Sequence, residues 1–366
     1  MKNTFGQSVT VSIFGESHGG GIGAILSGIA PGIEIDTEFI QKRLDLRRAK
    51  NNLSTSRREA DECEILSGVF EGRTTGTPIA MIIRNENTKS GDYSILQSIA
   101  RPGHADYTAN CKYHGFQDYR GGGHFSGRIT AALTAAGAVA LLALKQKGIE
   151  IGTHMKTCGG ISGREFDNLK NDIEFLNNAE FPMLDKNSGE KAKQAILDAK
   201  TDGDSVGGIL QTAIIGITPG VGEPFFDSVE SVLAHMLFSI PGIKGVEFGD
   251  GFEITKKRGS QANDEFTVSD GEIITKTNSN GGINGGITNG MPILINCAVK
   301  PTPSIFKAQN TVDFKNNTDT VLDLKGRHDP AIIHRARAVV DSAVALALCD
   351  LLAQRFGTDY FTEAKQ

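Results

Sequence analysis

An α+β fold, with helices packed against antiparallel β-sheets in one large domain or two, is predicted by three observations. Two long apolar segments have the length of helices, and stretches of strand length alternate between about residues 205 and 300. Nowhere does the chain keep the steady strand–helix rhythm of a doubly wound sheet.

The elements follow in order. Residues 8–14 and 22–29 alternate as strands do. Residues 37–50 read as a helix, with Phe39, Ile40, Leu44 and Leu46 at apolar positions and basic residues in the last turn, where the macrodipole favours them. The run IAMII at 79–83 predicts a buried strand. Residues 129–147 form a helix that is apolar nearly all round and stops at Gly148, which places it in the core or at a subunit interface. Residues 163–200 read as polar surface helix and loop. Residues 208–217, 273–276 and 293–298 predict antiparallel strands, separated by Gly-rich turns such as GGINGG at 281–286. A last helix covers about 331–356, with Pro330 near its first position and Asp329 before it. Ser126 and Asp329 would then both sit where a loop enters a helix, a natural place for an anion.

Composition narrows the class. At 39% hydrophobic and 22% charged residues the chain is neither disordered nor fibrous. It holds 44 glycines in 366 residues without a Gly-X-Y period, so many special turns are expected. A net charge of −5 and a pI near 5.9 argue against a nucleic-acid partner. Five widely spaced cysteines, never Cys-x-x-Cys, predict neither a disulfide framework nor structural zinc and favour a cytoplasmic setting. The N-terminus lacks the apolar core of a signal peptide, and the most apolar run, 343–349, is too short to span a bilayer; no membrane association is expected.

Three segments carry the chemistry: GESHG at 15–19, the stretch from RPGHADYT to GGGHFSGR at 101–128, and GRHDP at 326–330. Each sets an imidazole beside glycine, and two add arginine, so proton transfer beside anion binding is expected. There is no G-x-x-x-x-G-K-[ST], no Rossmann fingerprint, no metal-ligand spacing and no nucleophile elbow. His18, directly after a strand, reads on its own as a structural turn histidine. His104 has Arg101 as an anion ligand and Asp106 as an orienting carboxylate. His114, His154 and His334 read as surface residues, and His235 as a core or interface histidine. Arg43, Arg47, Arg48, Arg57 and Arg58 form the densest basic group, either a solvated helix face with its loop or a mobile lid over an anion. Arg120, Arg128 and Arg327 stand out because Gly, Ser or His surrounds each. KPTPS at 300–304 reads as a plain loop or as a stiff turn able to hold phosphate.

These segments, together with GVEFGDGF at 245–252, RGSQANDE at 258–265 and the GGINGG turn, closely resemble the chorismate synthase family across essentially the whole chain. The resemblance implies 1,4-anti elimination of phosphate from 5-enolpyruvylshikimate-3-phosphate, with reduced FMN required although the reaction is redox-neutral overall. It implies His104 as the acid assisting phosphate departure, His18 near flavin N1, and Asp329 helping to remove the C6 proton through flavin N5. It implies Arg47, Arg48, Ser126, Gly127, Arg128 and Arg327 as substrate-binding residues. His124, Phe125, Ser126, Pro241, Gly242, Gly285, Lys300, Pro301, Thr302, Pro303, Ser304 and Arg327 would contact FMN. The family is usually homotetrameric, and the compact length resembles members that take reduced flavin from an external source.

Two departures stand out. Many relatives read Arg-Ser-Ser-Ala-Arg where this chain has His124-Phe125-Ser126-Gly127-Arg128, so a basic contact is replaced by His or lost. The loop after Arg47 is about one residue shorter, which leaves the key loop contact open between Arg47 and Arg48. Two other functions compete. A flavin reductase drawing on NADP would need a nicotinamide site, for which no clear motif exists. A flavin- or phosphate-binding module without catalysis would have no use for His18, His104 and Asp329 together.

Overall fold

The computed structural model describes residues 2–49, 53–54, 59–86, 95–324 and 329–362. Its helices are α1 (Thr37–Arg47), α2 (Asp106–Tyr113), α3 (Thr130–Gln146), α4 (Leu169–Asn178), α5 (Lys186–Thr201), α6 (Val229–Phe238), α7 (Gly259–Ala262) and α8 (Ile333–Phe356). Two five-stranded antiparallel sheets accompany them. The first has the order Thr4–Phe5, Thr10–Gly15, Gly21–Ser27, Ile79–Arg84, Cys63–Ile65. The second has the order Ile243–Phe248, Ile293–Val299, Gly208–Ile215, Glu150–Cys158, Ile161–Ser162. The expected mixture of helices and antiparallel sheets is the observed architecture. Glu272–Thr275 is the strand expected at 273–276, and it pairs in a separate hairpin with Phe266–Ser269.

Helices α3 and α8 lie between the sheets. α3 packs on the first sheet, α8 on the second, and the two helices pack on each other. Both are buried over most of their length because their sequences leave almost no polar stripe. Their closest approach is at Gly137, where an added Cβ would lie 2.2 Å from Ser342 Cβ and 2.6 Å from its carbonyl oxygen. Further along, Cys349 Sγ lies 3.6 Å from the Ala140 carbonyl, so the helices run in the same direction. The stretch Gly127–Gln146 is long and apolar enough to cross a membrane, yet 78% of its apolar window is buried inside the fold.

Two buried carboxylates on α8 fasten this pair to its surroundings. Asp341 accepts from Arg43 of α1 and from Thr153 Oγ1 at 2.5 Å, and Thr153 shares a hydrogen bond with Thr212 at 2.7 Å. Asp350 accepts the backbone N–H groups of Gln7, Ser8 and Val9 at 2.7–3.1 Å, at the entry to strand Thr10–Gly15. One helix is thereby tied to both sheets and to α1 by polar contacts of two buried carboxylates.

Several expectations are corrected here. Arg43 does not lie on a solvated face; it is 2% exposed and ion-paired with Asp341. His154 is not at the surface. It lies in a strand buried along much of its length, with its ring edge on Phe166 and Nε2 3.0 Å from Gln211 Oε1. His334 is also buried, 3.0 Å from Ser54 Oγ, and burial with Arg335 and Arg337 nearby pulls it down to about 3. A helix with no polar face leaves its polar residues inside, which is why surface assignments fail on α8. His235 is exposed rather than in the core, with its ring edge on Phe5. His114 is exposed as expected and closes α2 in the left-handed region at φ 55°. Pro330 does not open α8, which begins at Ile333; the Pro330 carbonyl accepts from Val206 N at 2.8 Å instead.

The α3–α8 contact makes Gly137→Ala a sharp test. Helix propensity alone would favour Ala by about 1 kcal/mol. Because the new methyl must push Ser342 and its backbone away, a net loss of roughly 1–3 kcal/mol is expected in denaturant unfolding.

Candidate active site

A cavity of about 880 Å³ opens where the N-terminal ends of α3 and α8 meet the C-terminal ends of α1 and α6. That volume lies towards the top of the ~300–1,000 Å³ usual for small-molecule sites. α8 carries no side-chain N-cap, the turn leading into α3 is capped by Ser126 Oγ accepting from Arg128 N at 3.3 Å, and helix N-termini favour anions.

The first two His- and Gly-rich segments meet at a turn of three glycines. Gly121, Gly122 and Gly123 all have positive φ (57°, 82° and 53°), and each has a separate reason to lack a Cβ. At Gly121 a Cβ would fall 2.2 Å from His18 Cε1, and at Gly122 it would fall 3.2 Å from His104 Cε1. At Gly123 it would fall 2.0 Å from the Asp118 carbonyl. The turn is therefore the surface on which both imidazoles pack. Ser17 N donates to the Gly123 carbonyl at 3.1 Å, and His124 Nδ1 lies 2.8 Å from the Gly15 carbonyl, which completes the join. His18 is buried behind Gly121 and is not part of the cavity wall, whereas His104 is. From the third segment Asp329 reaches the wall; Arg327 lies outside the described residues, as do Arg57 and Arg58.

His104 sits on an Arg–Asp pair. Its Nδ1 is 3.1 Å from Asp106 Oδ1 and 3.0 Å from Arg101 Nη2, while Arg101 donates to both Asp106 oxygens at 2.7–2.9 Å. Asp106 is the orienting carboxylate the sequence suggested. Arg101 commits Nε and Nη2 to Asp106 and His104, and its Nη1 reaches Ser304 Oγ at 3.4 Å. Burial lowers the His104 pKa below 6.5, with the Arg101 charge helping and the Asp106 hydrogen bond opposing. Burial would raise Asp106, but hydrogen bonds from Arg101 and His104 overcome it and hold the carboxyl well below its usual range. The pair can serve both protonation states of the ring. Arg101 donates to a bare Nδ1, Asp106 accepts from a protonated one, and Nε2 is left as the nitrogen available to a ligand.

The remaining walls are cationic on one side. Arg47 and Arg128 both hold Asp61, and Arg47 also donates to Thr130 Oγ1 at 3.0 Å. Burial, reinforced by Arg128 and Arg335 and opposed by Asp61, lowers the Arg47 guanidinium to about 10, so it stays charged at neutral pH. Arg48, 30% exposed, donates to Asp45 at 2.7 Å. Arg335 donates to Asp329 Oδ2 at 2.5 Å. Of the other expected residues, His124, Phe125, Ser126 and Gly127 line the cavity beside Arg128. Pro241, Gly242 and the Lys300-Pro301-Thr302-Pro303-Ser304 turn form a further wall, joined by Lys300 N donating to the Gly242 carbonyl at 2.9 Å. Gly285 is not brought to this cavity; it lies between the two short strands of a hairpin elsewhere. Asp61 and Arg335 were missed in the sequence. Arg335 had a signal, since a charge in a nearly all-apolar helix needs a partner or a ligand, but Asp61 had none in its Glu-Ala-Asp-Glu surroundings.

An α+β enzyme with two glycine-backed imidazoles and a guanidinium-lined cavity is suited to proton transfer on a small polyanion. The chorismate synthase family model matches residues 9–353. A chorismate synthase of Pyrococcus abyssi is 44% identical over 351 residues, covering 96% of this chain and 97% of that relative. One of Lachnoclostridium phytofermentans is 46% identical over 352 residues, covering 96% and 95%. A crystal structure of a chorismate synthase superposes with a TM-score of 0.73 at 29% identity, covering 96% of this chain and 94% of the other. The chain belongs to the chorismate synthase family, lyases of aromatic amino-acid biosynthesis.

The glycine turn yields a paired test. Gly121→Ala should displace the His18 ring and lower turnover at least ~10-fold, beyond the ~1–2 kcal/mol of left-handed strain that any Ala there incurs. Gly122→Ala carries the same strain with a looser contact to His104, so steady-state assays should show a smaller loss at equal thermal stability.

Proposed function

We propose that this protein converts 5-enolpyruvylshikimate-3-phosphate to chorismate by 1,4-anti elimination of phosphate, with reduced FMN held in the same cavity. The observation that carries this reading is the sharing of one cavity by an oriented imidazole, a carboxylate fixed by arginine, and guanidiniums for the substrate's anionic groups. The walls also suit a flavin. Ile13, Leu133, Met236 and Ile240 offer apolar surface, and Lys300 and Ser304 offer donors to a phosphate tail. The Thr302 hydroxyl is buried without a hydrogen-bond partner among the described residues, as a group awaiting a ligand would be. When bound, reduced FMN would supply the electron-rich ring on which the family's redox-neutral elimination depends.

The chain's own residues have separate tasks. Arg47, Arg48 and Arg128, with Arg327 as a further candidate, bind the substrate's phosphate and carboxylates. His104 enters as the imidazolium. It gives its Nε2 proton to the departing phosphate oxygen and ends as a neutral ring whose Nδ1–H donates to Asp106. Asp329, oriented by Arg335, takes over the proton lost from C6. His18 sets the charge on the flavin side from behind Gly121. We also propose one domain over 1–366, which a hydrophobic cluster running from Val9 to Phe361 supports. A homotetramer would bury exposed apolar side chains such as Phe226 and those of the 266–275 hairpin. A cytoplasmic setting fits five free thiols, and reduced flavin would come from an external source.

Anaerobic assay with photoreduced FMN, following phosphate and chorismate, tests the reaction; well-folded, flavin-binding protein that releases no phosphate would sink it. His104→Ala should lower kcat by about 10²–10⁴-fold while leaving FMN affinity nearly unchanged. The pH profiles carry a sign. An acid acts while protonated, so kcat/KM should fall as pH rises through the free-enzyme value, which burial puts below 6.5. A bound phosphate dianion favours the imidazolium, so the matching limb of kcat should lie at higher pH.

A further inference from the structure

Asp61 sits in the most cationic part of the cavity wall, where a carboxylate would repel an anionic ligand. Its side chain is 1% exposed. Oδ2 accepts from Arg47 Nη1 at 3.0 Å, and Oδ1 accepts from Arg128 Nη1. The two arginines come from the end of α1 and the start of α3, while Asp61 leads into strand Cys63–Ile65. Its backbone is left-handed at φ 54°, a conformation that Asp and Asn tolerate best among residues with a side chain. The other guanidinium contacts are neutral. Arg47 also donates Nε to Thr130 Oγ1 at 3.0 Å and Nη2 to the Arg128 carbonyl at 3.3 Å, bonds that fix it to the start of α3 but do not touch the Arg128 guanidinium. Arg47 Nη2 donates to the Gly127 carbonyl at 2.7 Å, Arg128 Nε to Asn85 Oδ1 at 3.0 Å, and Arg128 Nη2 to the Arg84 carbonyl at 3.2 Å. Among the described contacts, the Asp61 carboxylate is what the two guanidiniums share.

We propose that Asp61 is a positioning residue of the anion site: its buried carboxylate holds Arg47 and Arg128 side by side, so that they present their remaining N–H bonds to one phosphate or carboxylate group. Without it, the two like charges would lose the one acceptor that both guanidiniums share. The arrangement keeps a net charge of +1 over the triad and gains a fixed fork geometry in exchange for the charge it neutralises. This deepens the reading of the site given above and rests on it for the identity of the substrate.

A role in positioning and a role in charge neutralisation predict opposite signs. Asp61→Asn preserves shape and tolerates the left-handed backbone but removes the charge. If Asp61 only neutralised, the cavity would become more positive and anions would bind more tightly. Positioning predicts that calorimetric titration with inorganic phosphate shows binding at least ~10-fold weaker, and that KM for the phosphorylated substrate rises similarly with kcat within about threefold. Asp61→Glu, which restores a carboxylate at a displaced point, should recover part of both losses. Unchanged or tighter phosphate binding by Asp61→Asn overturns the proposal. If that variant does not fold, Asp61→Glu decides: weaker phosphate binding than wild type supports it and equal binding overturns it. If wild-type protein makes no chorismate, the reaction assigned above fails, while the phosphate titration still decides the role of Asp61.

Discussion

The close crossing of two apolar helices is the constraint on which the molecule rests. α3 and α8 approach so nearly at Gly137 and Ser342 that a single methyl group does not fit between them. This contact sets the separation of two sheets that otherwise share no strand. Because the helices run in the same direction, their N-terminal ends come together, and the cavity lies at that end. The buried carboxylates Asp341 and Asp350 then tie α8 to α1 and to both sheets, so the geometry of the site is carried by rigid elements.

The electrostatics of the cavity follow a single pattern. An acidic protein builds a basic site by giving most of its cavity arginines a carboxylate partner: Asp61 for Arg47 and Arg128, Asp45 for Arg48, Asp106 for Arg101 and Asp329 for Arg335. Desolvated charges are costly alone and tolerable when paired and hydrogen-bonded. Pairing also fixes direction. Arg101 and Asp106 show what this does for chemistry, because together they hold an imidazole that is itself pulled towards neutrality by burial. Burial lowers His104 against the pull of Asp106, while the hydrogen bonds from Arg101 and His104 hold Asp106 low.

Much of this was legible in the chain. The helices at 130–146 and 333–356 and the strands at 208–215 and 293–299 lie within a few residues of the sequence expectations, since long apolar runs and period-two alternation survive any tertiary context. Pro330 misled because a proline favoured at a helix start is equally at home in the loop before it. His154, His334 and Arg43 misled for another reason: single polar residues on strands and helices buried all round have no periodic face to mark them. Asp61 was invisible because its partners lie 14 and 67 residues away.

By itself the sequence determined the fold class, the major apolar elements, the family and the segments that carry His18, His104 and Asp329, because these depend on local pattern and on motif order. Only the tertiary structure decided which charges face one another. It paired Arg101 with Asp106, put His18 behind Gly121 and His104 against Gly122, and disclosed Asp61 between two arginines. The reason is physical. A charge's partner and its desolvation depend on distances between elements far apart in the chain, and those distances exist only once α3 and α8 have packed.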